Sequence, residues 1–428
     1  MTICLIPASS RPYDVKIMKD FASGLNQLGR KALHLTKQLP DNKLDKFALN
    51  NSISVFVRIN AFPPEGIRLS GFKHISWFQD VFPSTNLQEH HFKDGDLVVT
   101  LGSKTTLGLK IPEKFYAGSM VPYIDPYEFE HSIVPCSPKY DFNLVGFIPR
   151  IFLPHPIYSD VSPANFSSII LPLLGSYYSV LVSKLKQKDI SFLSRKRLSK
   201  EVAKIKTISK LVGKDKSNKI DIEEKELLDA CYKHHSLVSG MLKIEEFEKN
   251  IRSEIPRQLN NDAMFDFFVR ETPRYFDRVF ICKELLNISN NLIIAGENWK
   301  YIDAFRNYAI GHISFEHSLD LFRSSKITLI NNNHGIGLQP RTLACMASGG
   351  FIFSHSSARG REHGGLRSIF EPNLHFGEFN ADNIQQEARF WLENNEKRIK
   401  VAAEGRKKVL SDMTWNIGAK HFIKQCQL

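Results

Sequence analysis

The stretch from Lys326 to His355, KITLINNNHGIGLQPRTLACMASGGFIFSH, holds the residue types best suited to grip an anion. An apolar strand runs into three Asn, one His and two Gly. A helix opens near Pro340, and Gly349–Gly350 ends it before the strand FIFS. Ligands of an open parallel sheet sit beyond the carboxyl ends of its strands. The first turn of a helix adds unpaired N–H groups and about half a positive charge. Arg341 stands in that first turn, where its fork of N–H groups can meet a phosphate through two parallel bonds. The pattern suits a diphosphate or another anionic ligand. It fits equally a surface arginine beside glycines that only make turns.

A second candidate lies in HISWFQDVFPS, residues 74–84, where Gln79 and Asp80 stand just past a strand end. Asp80 could take a proton from a hydroxyl as a general base. It could also be a simple cap or turn residue. Arg58 and Asn60, after the strand SISVF, have the same two readings. His334 in NNNHG could bond a phosphate or a sugar. His363, in RGREHGG with Arg359 and Arg361, belongs to a loop that could cover a ligand. The pairs His90–His91 and His234–His235 have no third ligand at metal-binding spacing, so no metal site is expected. The six Cys contain no CxxC pair and read as buried, reduced thiols of a cytoplasmic protein.

The elements that must position these residues are short apolar runs alternating with helical stretches. TICLIP, KALHLT, SISVFVRI, KHISWF and DLVVTL read as strands, with a helix over 13–29 that Gly29 ends. DFNLVGF at 141–147 opens a second series. A helix over 272–287, the strands NLIIAG, ITLI and FIFS, and long helices over 382–410 continue it. This order predicts parallel sheets covered by helices. At 428 residues the chain suits two domains. Residues 155–262 carry helical periodicity and few strand signals, and read as an insertion.

The net charge is +12, and most of it sits in one place. Residues 184–219 hold thirteen Lys or Arg against Asp189, Glu201 and Asp215. This face is either simply solvated or suited to an anionic membrane surface. Phe192 is the sole aromatic there, so base stacking is poorly provided for and no nucleic acid is expected. No window is long and apolar enough for a bilayer-spanning helix, and the N-terminal residues read as a first strand, without the basic start of a signal peptide.

The run R-T-x-x-x-M-A-S-G-G-F-I-F-S resembles the C-terminal signature of group 1 glycosyltransferases, especially the spore-maturation-type branch. Members read Arg-Thr/Ser-Phe-Glu-Ala-hydrophobic-Ala-Cys/Ser-Gly-Gly before an apolar strand. YDFNLVGF, NLIIAGENW, GHISFEHSLDLFRSSKITLINNN, FEPNLHF and GRKKVLSDMTWNIGAKHF are similar to further family elements, in the family's order. The resemblance covers 270–425 well, 140–150 in part and 1–138 by architecture.

It implies an α/β GT-B fold, with two Rossmann-like domains facing across a cleft and a helical insertion between their parts. The expected boundaries are 1–138 for an acceptor-side domain and 139–154 with 263–410 for a nucleotide-sugar domain. The insertion takes 155–262, and 411–428 is a helix crossing back. The implied activity is a metal-independent sugar transfer to a glycan or lipid-linked acceptor of surface-polysaccharide type, in a bacterial, cytoplasmic enzyme, with the basic stretch 184–219 as the candidate contact with the inner membrane face. The nucleotide sugar is a substrate and no cofactor is implied. Donor contacts fall on Gly296, Asn298, Asn333, His334, Gly335, Gly337, Arg341 and Thr342. The family's ribose-gripping Glu corresponds to Ala344, and Glu371 before Pro372 is the substitute carboxylate. That departure leaves uridine or guanosine diphosphate and cytidine monophosphate donors all open. A sugar-nucleotide epimerase of like architecture and a non-catalytic surface-assembly protein are the rival readings.

Overall fold

The computed structural model describes residues 1–66, 68–80, 85–104, 107–130, 137–148, 199, 277–331 and 338–428. The expected basic insertion, apart from Ser199, lies outside the described residues. So do Asn333, His334, Gly335 and Gly337.

Two six-stranded sheets organise the described chain, and every strand pairing in them is parallel. The first contains β1 (Thr2–Ile6), β2 (Lys31–His34), β3 (Val55–Ile59), β4 (Lys73–Phe78), β6 (Leu97–Thr100) and β8 (Tyr116–Ser119), in the order β2-β1-β3-β4-β6-β8. A separate two-residue pair joins β5 (Thr85–Asn86) to β7 (Leu109–Lys110). The second sheet contains β9 (Tyr140–Val145), β10 (Leu292–Ala295), β11 (Ala309–Gly311), β12 (Ser325–Ile330), β13 (Ile352–His355) and β14 (Gly377–Phe379). Its order is β11-β10-β9-β12-β13-β14. The two-domain α/β architecture that the resemblance implies is therefore present.

The strand sequences explain the layering. TICLI and LIIA are buried along their whole length, as parallel strands covered on both faces require. Helix α1 (Pro12–Gln27) starts on a proline whose missing N–H costs nothing at that position. It buries Ile17, Met18, Phe21, Ala22 and Leu25 on one stripe, and Gly29 at φ 74° turns the chain into β2. Helix α2 (Asp41–Asn51) was not anticipated. It buries only Leu44 and Ala48, one turn apart, too few for a periodic signal. Strands β8 and β14 also escaped the sequence reading. Each is a short edge strand, and YAGS buries only its Ser119.

The second sheet is covered by α3 (277–286), α4 (Phe315–Arg323), α5 (Pro340–Ala347), α6 (Ile384–Glu393) and α7 (Asn395–Asp412). The last helix, α8 (Trp415–Cys426), leaves this domain and packs on α1 of the first. The Trp415 ring stacks on Phe21 at 4.9 Å, and Phe422 meets Phe21 edge-on at 5.0 Å. Gly24 permits the approach, because a Cβ there would lie 2.5 Å from the Trp415 carbonyl oxygen. Arg406 of α7 ties the two domains further. It donates to the Ala347 carbonyl with Nε and to the Phe129 carbonyl with Nη2.

Cys4, Cys282, Cys345 and Cys426 are buried and free. Burial pushes the thiols of Cys4, Cys345 and Cys426 up to about 12, which leaves them unreactive. No described helix is long and apolar enough to cross a membrane.

Candidate active site in the interdomain cleft

In an open α/β sheet the crevice for ligands forms where neighbouring strands send their connections in opposite directions. The second sheet has the order 3-2-1-4-5-6 in its own strands, so its switch point lies between β9 and β12. In the first sheet it lies between β1 and β3. Both switch points open into one cleft of about 560 Å³. Ala8, Arg11, Asp14, Asn60, Gln79 and Asp80 line it from the first domain. Phe147, Arg278, Gln339, Pro340 and Arg341 line it from the second.

The second-domain wall is cationic, and its cations are moored to one strand end. Arg341, in the first turn of α5, donates from Nη1 to the Val145 carbonyl at 2.9 Å. Arg278, in α3, donates from Nη1 to the Phe147 carbonyl and from Nε to Asn331 Oδ1 at 2.9 Å. Asn331 Nδ2 in turn donates to Asp277 Oδ2 at 3.3 Å. The Arg278 guanidinium lies 5.5 Å over the Phe147 ring. It also covers Gly146, where a Cβ would come within 2.9 Å of Cζ. Arg278, Asp277 and Asn331 are each about 2 % exposed. Two guanidiniums and the N-terminus of α5 thus concentrate positive charge at the carboxyl end of β9.

Arg278 was missed in the sequence, although a signal was there. It falls on the stripe of Ile281, Cys282 and Leu285, all fully buried, so it is a cation on the apolar face of its helix.

The opposite wall carries polar and acidic groups. Asn60 Nδ2 donates to Asp80 Oδ2 at 2.7 Å. Ser9 Oγ donates to Asp14 Oδ2 at 2.5 Å and pins the loop after β1. Arg58 is turned away from this pair and bonds Asp41 at 2.7 Å.

The structure brings Asp80 and Arg341 into the same cleft; of the other expected contacts, the described ones, Thr342, Gly296, Asn298 and Glu371, lie elsewhere. Thr342 is fully buried and does not line the cleft. Gly296 and Asn298 lie beside a separate groove of about 450 Å³, where they support the mooring strand end. A Cβ on Gly296 would collide with the Gly146 carbonyl. Asn298, at φ 77°, donates to the Ile148 carbonyl at 2.7 Å, and Trp299 Nε1 donates to the Gly146 carbonyl at 2.6 Å. The Gly-x-x-Trp element therefore shapes residues 146–148, whose neighbouring carbonyls hold the arginines.

Glu371 is exposed and precedes β14, which puts it at the amino edge of the parallel sheet, opposite the cleft. Its N–H is taken by His375 Nδ1 at 3.0 Å. The loop with exposed Arg361 and His363 does reach the other domain: a Cβ on Gly364, at φ 83°, would lie 2.7 Å from the Gly102 Cα. Among the described residues no three His, Cys, Asp or Glu are grouped to hold a metal ion.

Ala344 faces the seam between the domains, not the cleft. It is 3 % exposed and lines a small void with Lys16, Asp20, Glu128, Phe315 and Pro340. A carboxylate there would be buried beside two others. Lys16 bridges Asp20 and Glu128, each at 2.5 Å, and lies 5.3 Å over the Phe315 ring. Burial pushes the Asp20 carboxyl up to about 6, against the pull of Lys16 and with help from Glu128 and Asp125. A raised carboxyl pKa means the folded state keeps this proton to higher pH than the unfolded state does. The group's contribution is therefore fully present below about pH 4 and is lost as pH rises through about 6. Between pH 5 and 7.5 the wild type should lose roughly 1.4 kcal/mol relative to Asp20→Asn. Urea unfolding of both proteins at the two pH values checks this, and a relative gain by the wild type would contradict it.

Residues 274–424 match the sequence profile of a family described as Glycosyl transferase-like. The match runs from the start of the second domain's main block into α8, and includes Arg278 and Arg341. No curated protein matches the chain. Among solved structures, a glycosyltransferase from Rickettsia africae aligns at 10% identity, over 100% of this chain and 97% of its own, with a TM-score of 0.48. Anabaena HepE in complex with UDP aligns at 8% identity, over 99% of each chain, with a TM-score of 0.44. The lipopolysaccharide outer core galactosyltransferase WaaB aligns at 10% identity, over 99% of each chain, with a TM-score of 0.41. These likenesses are distant. The fold rests on the two sheets themselves, and the likeness to glycosyl transferases on the 274–424 match.

Proposed function

We propose that the chain transfers a sugar from a nucleotide-activated donor to a hydroxyl of a glycan or lipid-linked acceptor. The observation that carries this reading is the pair of arginines moored at the β9 switch point, opposite Asp80 in one cleft. The donor phosphate would sit against Arg341, Arg278 and the N-terminus of α5. As the bond from the anomeric carbon to the phosphate oxygen breaks, its electron pair leaves on the phosphate. The two guanidiniums neutralise that charge, so no metal and no cofactor are needed. The acceptor oxygen forms the new bond to the sugar, and Asp80 takes its proton. Closure of the domains would exclude water that could hydrolyse the donor.

The order of motifs favours the spore-maturation-type branch. With Ala344 turned to the seam and Glu371 on the far edge, the ribose contact must come from other residues. The basic stretch 184–219 would suit an acidic acceptor or an anionic membrane on the cytoplasmic side.

A thermal-shift panel of nucleoside mono- and diphosphates tests the reading. Ligand at 100 times its dissociation constant adds about 2.7 kcal/mol to stability. Diphosphates should raise the melting temperature more than monophosphates. If no nucleotide raises it, the proposed donor site is wrong.

A further inference from the structure

Asn60 has two features that ordinary loop residues lack. Its backbone is left-handed, at φ 51°, although it is not glycine. Asparagine tolerates that region better than most residues, yet the conformation still carries a cost and tends to mark functional sites. Its side chain also makes three hydrogen bonds. Oδ1 accepts from the N–H of Gln79 at 2.8 Å and from the N–H of Asp80 at 3.3 Å. Nδ2 donates to Asp80 Oδ2 at 2.7 Å. Its own N–H bonds the Trp77 carbonyl at 2.9 Å. One side chain from the end of β3 therefore fixes both the backbone and the carboxylate just past the end of β4.

We propose that Asn60 is a positioning residue, which orients Asp80 in the cleft and holds its carboxylate ready to accept the acceptor proton. This rests on the reading of Asp80 as the base. Among the described residues Asp80 has one side-chain partner, Asn60. The other charged groups lining the cleft are Arg11 and Asp14 at the start of α1, and Arg278 and Arg341 opposite. The bond from Asn60 Nδ2 limits the rotation of the carboxylate. The left-handed turn is what lets the Asn60 amide fold back over the neighbouring strand.

Two variants separate side chain from backbone. Asn60→Gly keeps the left-handed turn, which glycine adopts freely, and removes all three side-chain bonds. Asn60→Asp keeps an acceptor for the two N–H groups but sets a second carboxylate against Asp80. The readout is nucleotide release from UDP-glucose, or from whichever sugar nucleotide of the thermal panel binds, followed from pH 5 to 9 with the full chain. Asn60→Gly should lower kcat roughly 10- to 100-fold, with donor KM nearly unchanged and the protein still folded at the assay temperature. Asn60→Asp should lower kcat as well, because it keeps the acceptor for the two N–H groups but withdraws the donor from Asp80 and sets a like charge against it.

If both variants match the wild-type rate and profile while Asp80→Asn is inactive, the positioning role is overturned and the base survives. If Asp80→Asn is as active as the wild type, the base assignment itself falls, and the role of Asn60 with it.

Discussion

Replacing Arg341 by alanine is expected to weaken binding of the best nucleoside diphosphate about 100-fold, with little change in the unliganded fold. A charge-assisted bond to phosphate in a partly desolvated cleft is worth about 3 kcal/mol, which is that factor. The unliganded protein should stay folded at the assay temperature, since the bond from Nη1 to the Val145 carbonyl is part-buried at the cleft wall and not in a core. Arg341→Lys should recover only part of the affinity, since an ammonium cannot hold the carbonyl and two phosphate oxygens at once. Calorimetry with wild type and both variants checks the order. Equal affinities in all three proteins would remove Arg341 from the site.

Replacing Arg278 by methionine should be the more damaging change to the fold. The guanidinium is 2 % exposed and is bonded to Asn331 and to the Phe147 carbonyl. Its loss would leave Asn331 and Asp277 buried with fewer partners, and a gap above Gly146. Breaking a buried charged network costs about 3–5 kcal/mol. The protein should therefore unfold at clearly lower urea concentration, and nucleotide binding should fall as well. Loss of binding without loss of stability would make Arg278 a ligand group alone. A change under about 1 kcal/mol in stability would contradict the structural role.

Much of this arrangement was legible in the residues. Fully apolar runs such as TICLI and LIIA announce strands covered on both faces. Pro340 and Gly349 frame α5, so the place of Arg341 in its first turn could be read directly. The Gly-x-x-Trp element was visible too, but its work was not. Gly296, Asn298 and Trp299 hold the 146–148 segment by backbone contacts roughly 150 residues distant in sequence, and no local pattern reports that. Nothing local to Glu371 and Pro372 reports their place in the sheet. The chain returns to the far edge of the sheet before β14 begins. Ala344 looked like a missing ligand and is a seam residue, where the neighbouring acids make an apolar side chain the better choice. Arg278 is the instructive omission: a lone cation on an apolar stripe pointed to a buried, tethered role, and only the β9 strand end shows to what it is tethered.

A crystal structure of the full chain grown with UDP would decide the matter most directly. Density for the β-phosphate should lie within hydrogen-bond reach of the Arg341 guanidinium, beside the N-terminal end of α5, in the cleft that Asp80 faces. A nucleotide seated anywhere else at saturating UDP, with no phosphate oxygen in reach of that guanidinium, would contradict the donor site.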